Sequence, residues 1–349
     1  MISKVIDNNS VSVIPEDSDD LLTLRRIIKK GDRIIGDTTR VIKQEKDFAR
    51  PDKGERIRIR ISLDVEKPSL DNVLDRLRIR GIIAESSNES VPHGSHHSFI
   101  IKINDAITIF KKKWTRIEIK LVRLKNQKLG FLLVAIDTTE CGIGILKGTH
   151  LQIVPNIYSD SSGKRYKTNF NIEKFFENVY LAISSSIREN EILIIFGPGE
   201  TKKKFVNFLE KTFLKKHKIE LVEGIDSGGE DGIYTFTKSD VMKEIMSESK
   251  LATVSSIIDE IMFRANKRSG RFTMGFEETQ KANQFGAIES LVFSDKIMQS
   301  QDEEKIIEFL NDVDGKGSKV FSVDSTTDLG LRVTGLGGIV SLLRFPIYT

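Results

Sequence analysis

"IIFGPGETKKKF", residues 194–205, runs from an apolar stretch through a glycine turn into a lysine-rich segment. The apolar run Ile192 to Phe196 reads as a buried strand, Gly197-Pro198-Gly199 as a turn, and Lys202–Lys216 as a helix. Strand, glycine turn, helix and lysine are the parts of a phosphate cradle. The spacing does not complete one. A Walker loop needs G-x-x-x-x-G-K-[ST], and only G-P-G-E-T-K is present. The third glycine of a dinucleotide fingerprint is missing, and Pro198 lacks an amide that a cradle would use. The stretch therefore predicts α/β structure, no nucleotide cofactor, and a rigid exposed turn suited to docking a partner.

Working outward, "LGFLLVAIDTTECGIGILKGTHLQIVP" (129–155) reads as three strands joined by turns. A helix follows in "NIEKFFENVYLAISSSIREN" (171–190). After the opening strand and helix come the strand "IELVEGI" (219–225) and the glycine loop Asp226–Ile233. Three antiparallel strands leading into strand–helix units is the ribonuclease-H-like order. Asp137 stands where such a nuclease carries its first acid, but no further acids stand at matching positions. Beyond about Leu251, helix, strand and glycine turns alternate through "ATVSSIIDEIMFRANK", "DEEKIIEFLNDV", "KVFSVD" and "LGGIVSLLRFPI". This reads as an α/β/α sandwich without a Ser/His/Asp or Cys/His pairing, an interaction domain.

The N-terminal part is different. In "ERIRIRISLDV" (55–65), Ile57, Ile59, Ile61, Leu63 and Val65 share one strand face and Arg56, Arg58 and Arg60 the other. A row of arginines on an open sheet face suits phosphate binding, although a solvated strand face has the same appearance. The segment before it (40–56) is polar and brings Lys43, Lys46, Arg50 and Lys53 beside that row. "PSLDNVLDRLRIRG" (68–81) reads as a short helix after Pro68, stopped by Gly81. "TRIEIKLVRL" (Thr115–Leu124), after Lys111-Lys112-Lys113 and Trp114, reads as a second alternating strand. Several short strands and one helix predict a small β-rich barrel.

Two clusters raise metal chemistry. His93, His96 and His97 crowd into "HGSHH", yet adjacent strand residues face opposite ways and do not share one ion. "PEDSDD" (15–20) with Asp17, Asp19 and Asp20, together with Asp32 and Asp37, offers carboxylates for a hydrated divalent cation of a nuclease. The plainer reading is helix N-terminal chemistry ahead of "LLTLRRIIKKG".

Composition sets the frame. At 349 residues the chain predicts two or three domains. Hydrophobic content of 39% and charged content of 30% predict soluble domains with real cores. No stretch approaches a membrane span, and the N-terminus lacks a signal-peptide pattern. The single cysteine, Cys141, excludes an intrachain disulfide and fits a reducing, cytoplasmic setting. A net charge of +4 is compatible with a polyanionic partner.

"KFFENVYLAI", "FGPGETK", "IDSGGEDGIY", "GAIESLVFSD" and "LGGIVSLLRFPI" stand in the order and spacing of Pelota proteins, which are relatives of class-1 translation release factors. "GSHHS" resembles a Gly-x-x-His-Thr segment of that family's first domain, and the resemblance covers essentially the whole chain. It implies a multidomain α+β and α/β architecture. The parts are an Sm-like N-terminal barrel (1–126), a central ribonuclease-H-like domain (129–247) and a C-terminal α/β/α domain (250–349). It also implies the role of a binding factor with no chemistry of its own: entry into the vacant A site of a stalled ribosome beside a translational GTPase of the elongation-factor-1α type, contact with rRNA and mRNA, and subunit separation with a recycling ATPase. A monomer is implied.

The residues the resemblance marks for RNA contact are Lys43, Lys46, Arg50, Lys53, Arg56, Arg58, Arg60 and His97, with Lys164, Arg165 and Lys167 of the basic loop "SGKRYK". Pro198, Gly199 and Glu200 resemble the family's Pro-Gly-aromatic turn, implicated in GTPase docking, with Glu200 replacing the aromatic. No Gly-Gly-Gln occurs, so peptidyl-tRNA hydrolysis is not expected. The family has also been assigned a divalent-metal-dependent endoribonuclease activity, which stands here as the alternative function.

Overall fold

The computed structural model describes residues 1–42, 55–71, 76–88, 91–123, 130–159, 171–188, 191–212, 217–300 and 302–347. The first stretch carries β1 (Ile2–Val5), β2 (Ser10–Ile14), α1 (Ser18–Ile27), β3 (Arg33–Ile42), β4 (Glu55–Leu70), β5 (Arg76–Ser86), β6 (His96–Lys102), β7 (Ile107–Phe110) and α2 (Arg116–Arg123). Next come β8 (Phe131–Ile136), β9 (Glu140–Lys147), β10 (His150–Tyr158), α3 (Ile172–Ser186), β11 (Ile192–Phe196), α4 (Thr201–Thr212), β12 (Ile219–Leu221), α5 (Gly229–Lys238) and α6 (Asp240–Ile245). The last stretch holds α7 (Lys250–Asn266), β13 (Phe272–Met274), α8 (Phe276–Gln284), β14 (Ile288–Ser294), α9 (Ile297–Ser300), α10 (Glu303–Gly315), β15 (Lys319–Val323), α11 (Asp328–Gly335) and β16 (Ile339–Leu343).

These elements gather into two compact units. One comprises Met1–Asn126, Asn283–Gly286 and Asp295–Val320; the other comprises Gln127–Ala282, Ala287–Ser294 and Phe321–Thr349.

In the first unit a seven-stranded sheet runs β1-β2-β7-β3-β4-β5-β6. Ile59, Ile61, Leu63 and Val65 of β4 and Leu77, Ile79 and Ile83 of β5 enter one core with Leu21, Leu24 and Ile27 of α1. The sheet curls until inner side chains of β3 and β6 meet, with Thr38 Oγ1 3.2 Å from His97 Nε2. Gly36 is required at this closure, because a Cβ there would sit 2.8 Å from the Phe99 ring.

Two expected elements are corrected here. Residues 68–81 are not a helix: β4 continues to Leu70 and β5 begins at Arg76. Leu77, Ile79 and Gly81 are buried while Arg76 and Arg80 are exposed, a period of two. Pro68 is accommodated next to a bulge between Val65 and Lys67, where a missing amide is tolerated. Thr115–Leu124 is not a strand but contains α2. Thr115 and Glu118 form a reciprocal capping box, Thr115 N–H to Glu118 Oε2 at 2.9 Å and Glu118 N–H to Thr115 Oγ1 at 3.3 Å. Glu118, Leu121 and Val122 are then buried at helical spacing. Lys111, at the head of the Lys111-Lys112-Lys113 run, does not face solvent. It is buried and donates to the Ile27 carbonyl at 2.8 Å and to Asp32 at 2.5 Å.

In the second unit a five-stranded sheet runs β10-β9-β8-β11-β12. The pairs of β8, β9 and β10 are antiparallel, and β11 pairs parallel with β8 and β12. This is the ribonuclease-H-like order expected. Leu132, Val134, Leu193 and Ile195 face Phe175, Phe176 and Val179 of α3 and Phe205 and Leu209 of α4. Leu133, Ala135, Ile194 and Phe196 face the opposite side, toward Ile233 and Phe236 of α5. Burying each such large apolar side chain contributes about 2–3 kcal/mol, so β11 is fixed on both faces right up to the turn that follows it. A four-stranded sheet ordered β13-β16-β14-β15 follows, with α7 and α11 packed against its strands. Among the described residues no helix is long and apolar enough to cross a membrane.

Candidate nucleic-acid interface

The arginine row stands where alternation places it. Arg56, Arg58 and Arg60 are exposed on β4 while Ile59 and Ile61 are buried behind them. Arg58 lies 3.0 Å from Asp37 of β3, but both side chains are largely in solvent, so the pair leaves the guanidinium accessible. The chain between Ile42 and Glu55, where β3 and β4 pair in register, is the segment bearing Lys43, Lys46, Arg50 and Lys53. Those four residues lie outside the described residues, as do Lys164, Arg165 and Lys167.

A second row was passed over in the sequence. Arg76, Arg78 and Arg80 occupy the outer face of β5, alternating with buried Leu77, Ile79 and Gly81. Opposite them stand Lys67 of β4, paired with Arg80, and Lys102 of β6, paired with Arg76. The signal was present: "RLRIRG" repeats the alternation of "RIRIRI".

His97 does not join either row. It faces the interior, half-buried, against Thr38. Burial, and next the Arg40 guanidinium, push its pKa below the ordinary histidine value, disfavouring the charged form. The other two histidines diverge from it. His93 Nδ1 sits 2.8 Å from the Ala84 carbonyl, and His96 Nδ1 lies 3.2 Å from Glu66.

The candidate metal carboxylates are likewise dispersed. Asp17 caps α1, accepting from the Asp20 amide at 3.0 Å. Asp19 and Asp20 lie in the first turn of α1, where they complement its dipole. Asp20 also pairs with the Met1 ammonium at 2.6 Å. Asp32 holds Lys111, and Asp37 holds Arg58. Among the described residues no group of three or more metal-ligating side chains forms. Asp137 caps the β8–β9 turn, accepting from the amides of Thr139 at 2.6 Å and Glu140 at 2.8 Å.

The glycine turn after β11 is built by close approach. Gly197 has φ +137°, and a Cβ there would stand 2.2 Å from the Ile136 carbonyl oxygen. Gly199 has φ +62° in open space. Lys202 folds back, its Nζ donating to the Gly197 carbonyl at 2.7 Å and pairing with Glu223 at 2.7 Å. Glu200 is exposed and accepts from Lys203 Nζ at 2.9 Å. That contact raises the Lys203 pKa, and the Lys202 hydrogen bond lowers that of Glu223. The turn thus presents Pro198, Gly199 and Glu200 outward on a fixed backbone, with Lys202 directed inward.

A sequence profile of the Pelota N-terminal domain matches residues 1–126, and one of eRF1 domain 3 matches residues 251–347. The chain is 70% identical over 348 residues to the protein pelota homolog of Nitrosopumilus maritimus, covering 99% of each. It is 51% identical over 345 residues to that of Cenarchaeum symbiosum, again covering 99% of each. Among solved structures, the Thermoplasma acidophilum Pelota protein superposes with a TM-score of 0.66 at 22% identity, over 99% of this chain and 100% of that one. Profile, full-length identity and fold agree, and the chain belongs to the Pelota family.

Proposed function

We propose that the protein is a ribosome-rescue factor. It enters the vacant A site of a stalled ribosome with a translational GTPase and promotes subunit dissociation with a recycling ATPase. The observation that carries this reading, beside family membership, is the exposed row Arg56, Arg58 and Arg60 at the β3–β4 end of the ladder. The adjoining Lys43, Lys46, Arg50 and Lys53 add positive charge next to that row in the sequence, for contact with mRNA and decoding-site rRNA. Guanidinium groups on a rigid strand meet phosphates without reading bases, which suits a factor that must act on any message.

The parts divide the work as 1–126 for RNA contact, 129–247 for partner docking and 250–349 for further interaction. The profile matches ending at 126 and beginning at 251 support those limits. Lys164, Arg165 and Lys167 contact RNA backbone, and Pro198, Gly199 and Glu200 meet the GTPase. The protein acts in the cytoplasm, as a monomer, without a nucleotide of its own. With no Gly-Gly-Gln loop it leaves peptidyl-tRNA intact. No observation favours the endoribonuclease alternative, because Asp17, Asp20, Asp32 and Asp37 are each engaged by an amide or a cation.

Cosedimentation with ribosomes stalled at the end of a truncated mRNA tests the reading. Retention should increase when a partner GTPase and GTP are added. Absence of the protein from the ribosomal pellet under both conditions overturns it.

A further inference from the structure

The second arginine row is a candidate for work of its own. Arg76 and Arg80 are exposed, and neither has a carboxylate partner among the described residues. Lys67 and Lys102, cross-strand from them, are also exposed. Three other arginines of the same unit, by contrast, are matched by carboxylates. Arg25 is held by Glu303 and Glu304, Arg26 by Asp314 at 2.9 Å, and Arg33 by Asp64 at 2.7 Å. Arg78, between the two unmatched arginines, is paired with Asp71 at 3.2 Å.

Arg76 and Arg80 stand four residues apart on one strand face, roughly 13 Å, on the order of two phosphate intervals of a nucleic-acid strand. Along β4 the second row is well separated from the first. Between Arg60, the last of the first row, and Lys67 the β4 strand runs roughly 23 Å of extended chain. Two bulges interrupt the ladder on the way, between Ser62 and Leu63 and between Val65 and Lys67. Bulges bend a strand and increase its twist, so the two rows do not continue one straight track.

We infer that Lys67, Arg76, Arg80 and Lys102 form a second RNA-backbone contact, engaging a segment of ribosomal RNA separate from the one met by Arg56, Arg58 and Arg60. This rests on the ribosome-binding reading above. The pattern favours RNA over a protein surface because two guanidinium forks and two cross-strand lysines share one face, with the apolar side chains between them turned into the core.

The test is equilibrium binding of the full-length protein to purified archaeal ribosomes across a potassium chloride series. The variants are Lys67→Gln/Arg76→Gln/Arg80→Gln, the charge-keeping Arg76→Lys/Arg80→Lys, Arg56→Gln/Arg58→Gln/Arg60→Gln, and the two glutamine sets combined. Thermal melting checks that each is folded. The first glutamine set should weaken binding at least tenfold and reduce the slope of log affinity against log salt by about 2, with roughly 0.7–0.9 lost per phosphate contact. The lysine variant should keep most of the slope, and the combined set should lose the sum of the two. Unchanged affinity and slope in the folded first set overturns the second contact while leaving ribosome binding intact. An affinity loss with an unchanged slope would indicate a protein contact and overturn it equally. A combined set no weaker than either alone would overturn the separateness of the two segments. Wild-type protein that does not bind ribosomes removes both readings at once.

Discussion

Lys202 Nζ donates to the carbonyl oxygen of Gly197, five residues earlier, at 2.7 Å, and the same nitrogen lies 2.7 Å from the Glu223 carboxylate. The lysine is 4% exposed, so its charge is engaged within the protein and the turn is clamped from behind. A strand–glycine–helix segment that has the parts of a phosphate cradle is instead closed by its own lysine.

Nucleotide binding should therefore be absent. Equilibrium dialysis with ATP and with GTP is expected to show nothing tighter than millimolar, about −4 kcal/mol. Micromolar binding that disappears in Lys202→Ala would contradict the clamp.

Removing the clamp should cost stability. Lys202→Met leaves the Gly197 carbonyl without its donor, and a loss of about 1–3 kcal/mol is expected in urea unfolding. A variant as stable as the parent would show that the contact contributes nothing.

Changing what the turn presents should act on the partner instead. Glu200→Phe alters an exposed side chain and is expected to change affinity for the GTPase while leaving the unfolding midpoint in place. Titration calorimetry reads the affinity. Identical affinities for parent, Glu200→Phe and Pro198→Ala/Gly199→Ala would remove the turn from the docking surface.

Acid should release a contact at the start of β10. His150 Nδ1 lies 2.5 Å from Asp324 Oδ2, and the Thr326 amide and hydroxyl donate to Asp324 Oδ1 at 2.8 and 2.7 Å. The His150 hydrogen bond leads these in holding Asp324 at about 2, below its ordinary 3.8. A carboxylate depressed in the folded state stabilises fully above its unfolded value and loses that contribution as pH falls toward the folded one. The difference corresponds to about 2 kcal/mol, lost between roughly pH 4 and pH 2. Asp324→Asn should flatten that part of the stability–pH curve, and an unaltered curve would refute the assignment.

The bulged ladder makes a sharper demand at Gly81. A Cβ there would stand 2.1 Å from the Asp64 carbonyl oxygen, a backbone atom that cannot rotate away. Gly81→Ala is expected to cost about 3 kcal/mol or more, whereas Gly335→Ala, with nothing within 4 Å, should change stability by less than about 1 kcal/mol. Equal melting temperatures for the two variants would contradict the packing described.

Gly81 also shows where local reading stops. As a helix terminator it closed a segment opened by Pro68, yet it is a strand residue chosen for close approach to β4. The Arg56–Arg60 alternation was legible because one face of β4 is buried and the other is not. The same alternation at Arg76–Arg80 was obscured because Pro68 and Gly81 frame the segment like the start and stop of a helix. At α2 the alternation of Ile117, Ile119 and Leu121 suggested a strand, while the Thr115–Glu118 capping box marked a helix and outweighs it in the fold. The place of His97 comes from β3 meeting β6 across the curled sheet, and the inward turn of Lys202 depends on Glu223 beyond β12. Neither contact is local in sequence, so no pattern within a short window encodes it.

The central claim is that this protein separates stalled ribosomes without cleaving the ester that holds the nascent chain. The direct measurement follows subunits and peptidyl-tRNA together, in a defined stalled complex supplied with the protein, its GTPase, the recycling ATPase and nucleotides. Separated subunits carrying intact peptidyl-tRNA, with Arg56→Ala/Arg58→Ala/Arg60→Ala impaired, are predicted. Stoichiometric release of free peptide, or subunits that stay joined, would contradict the account.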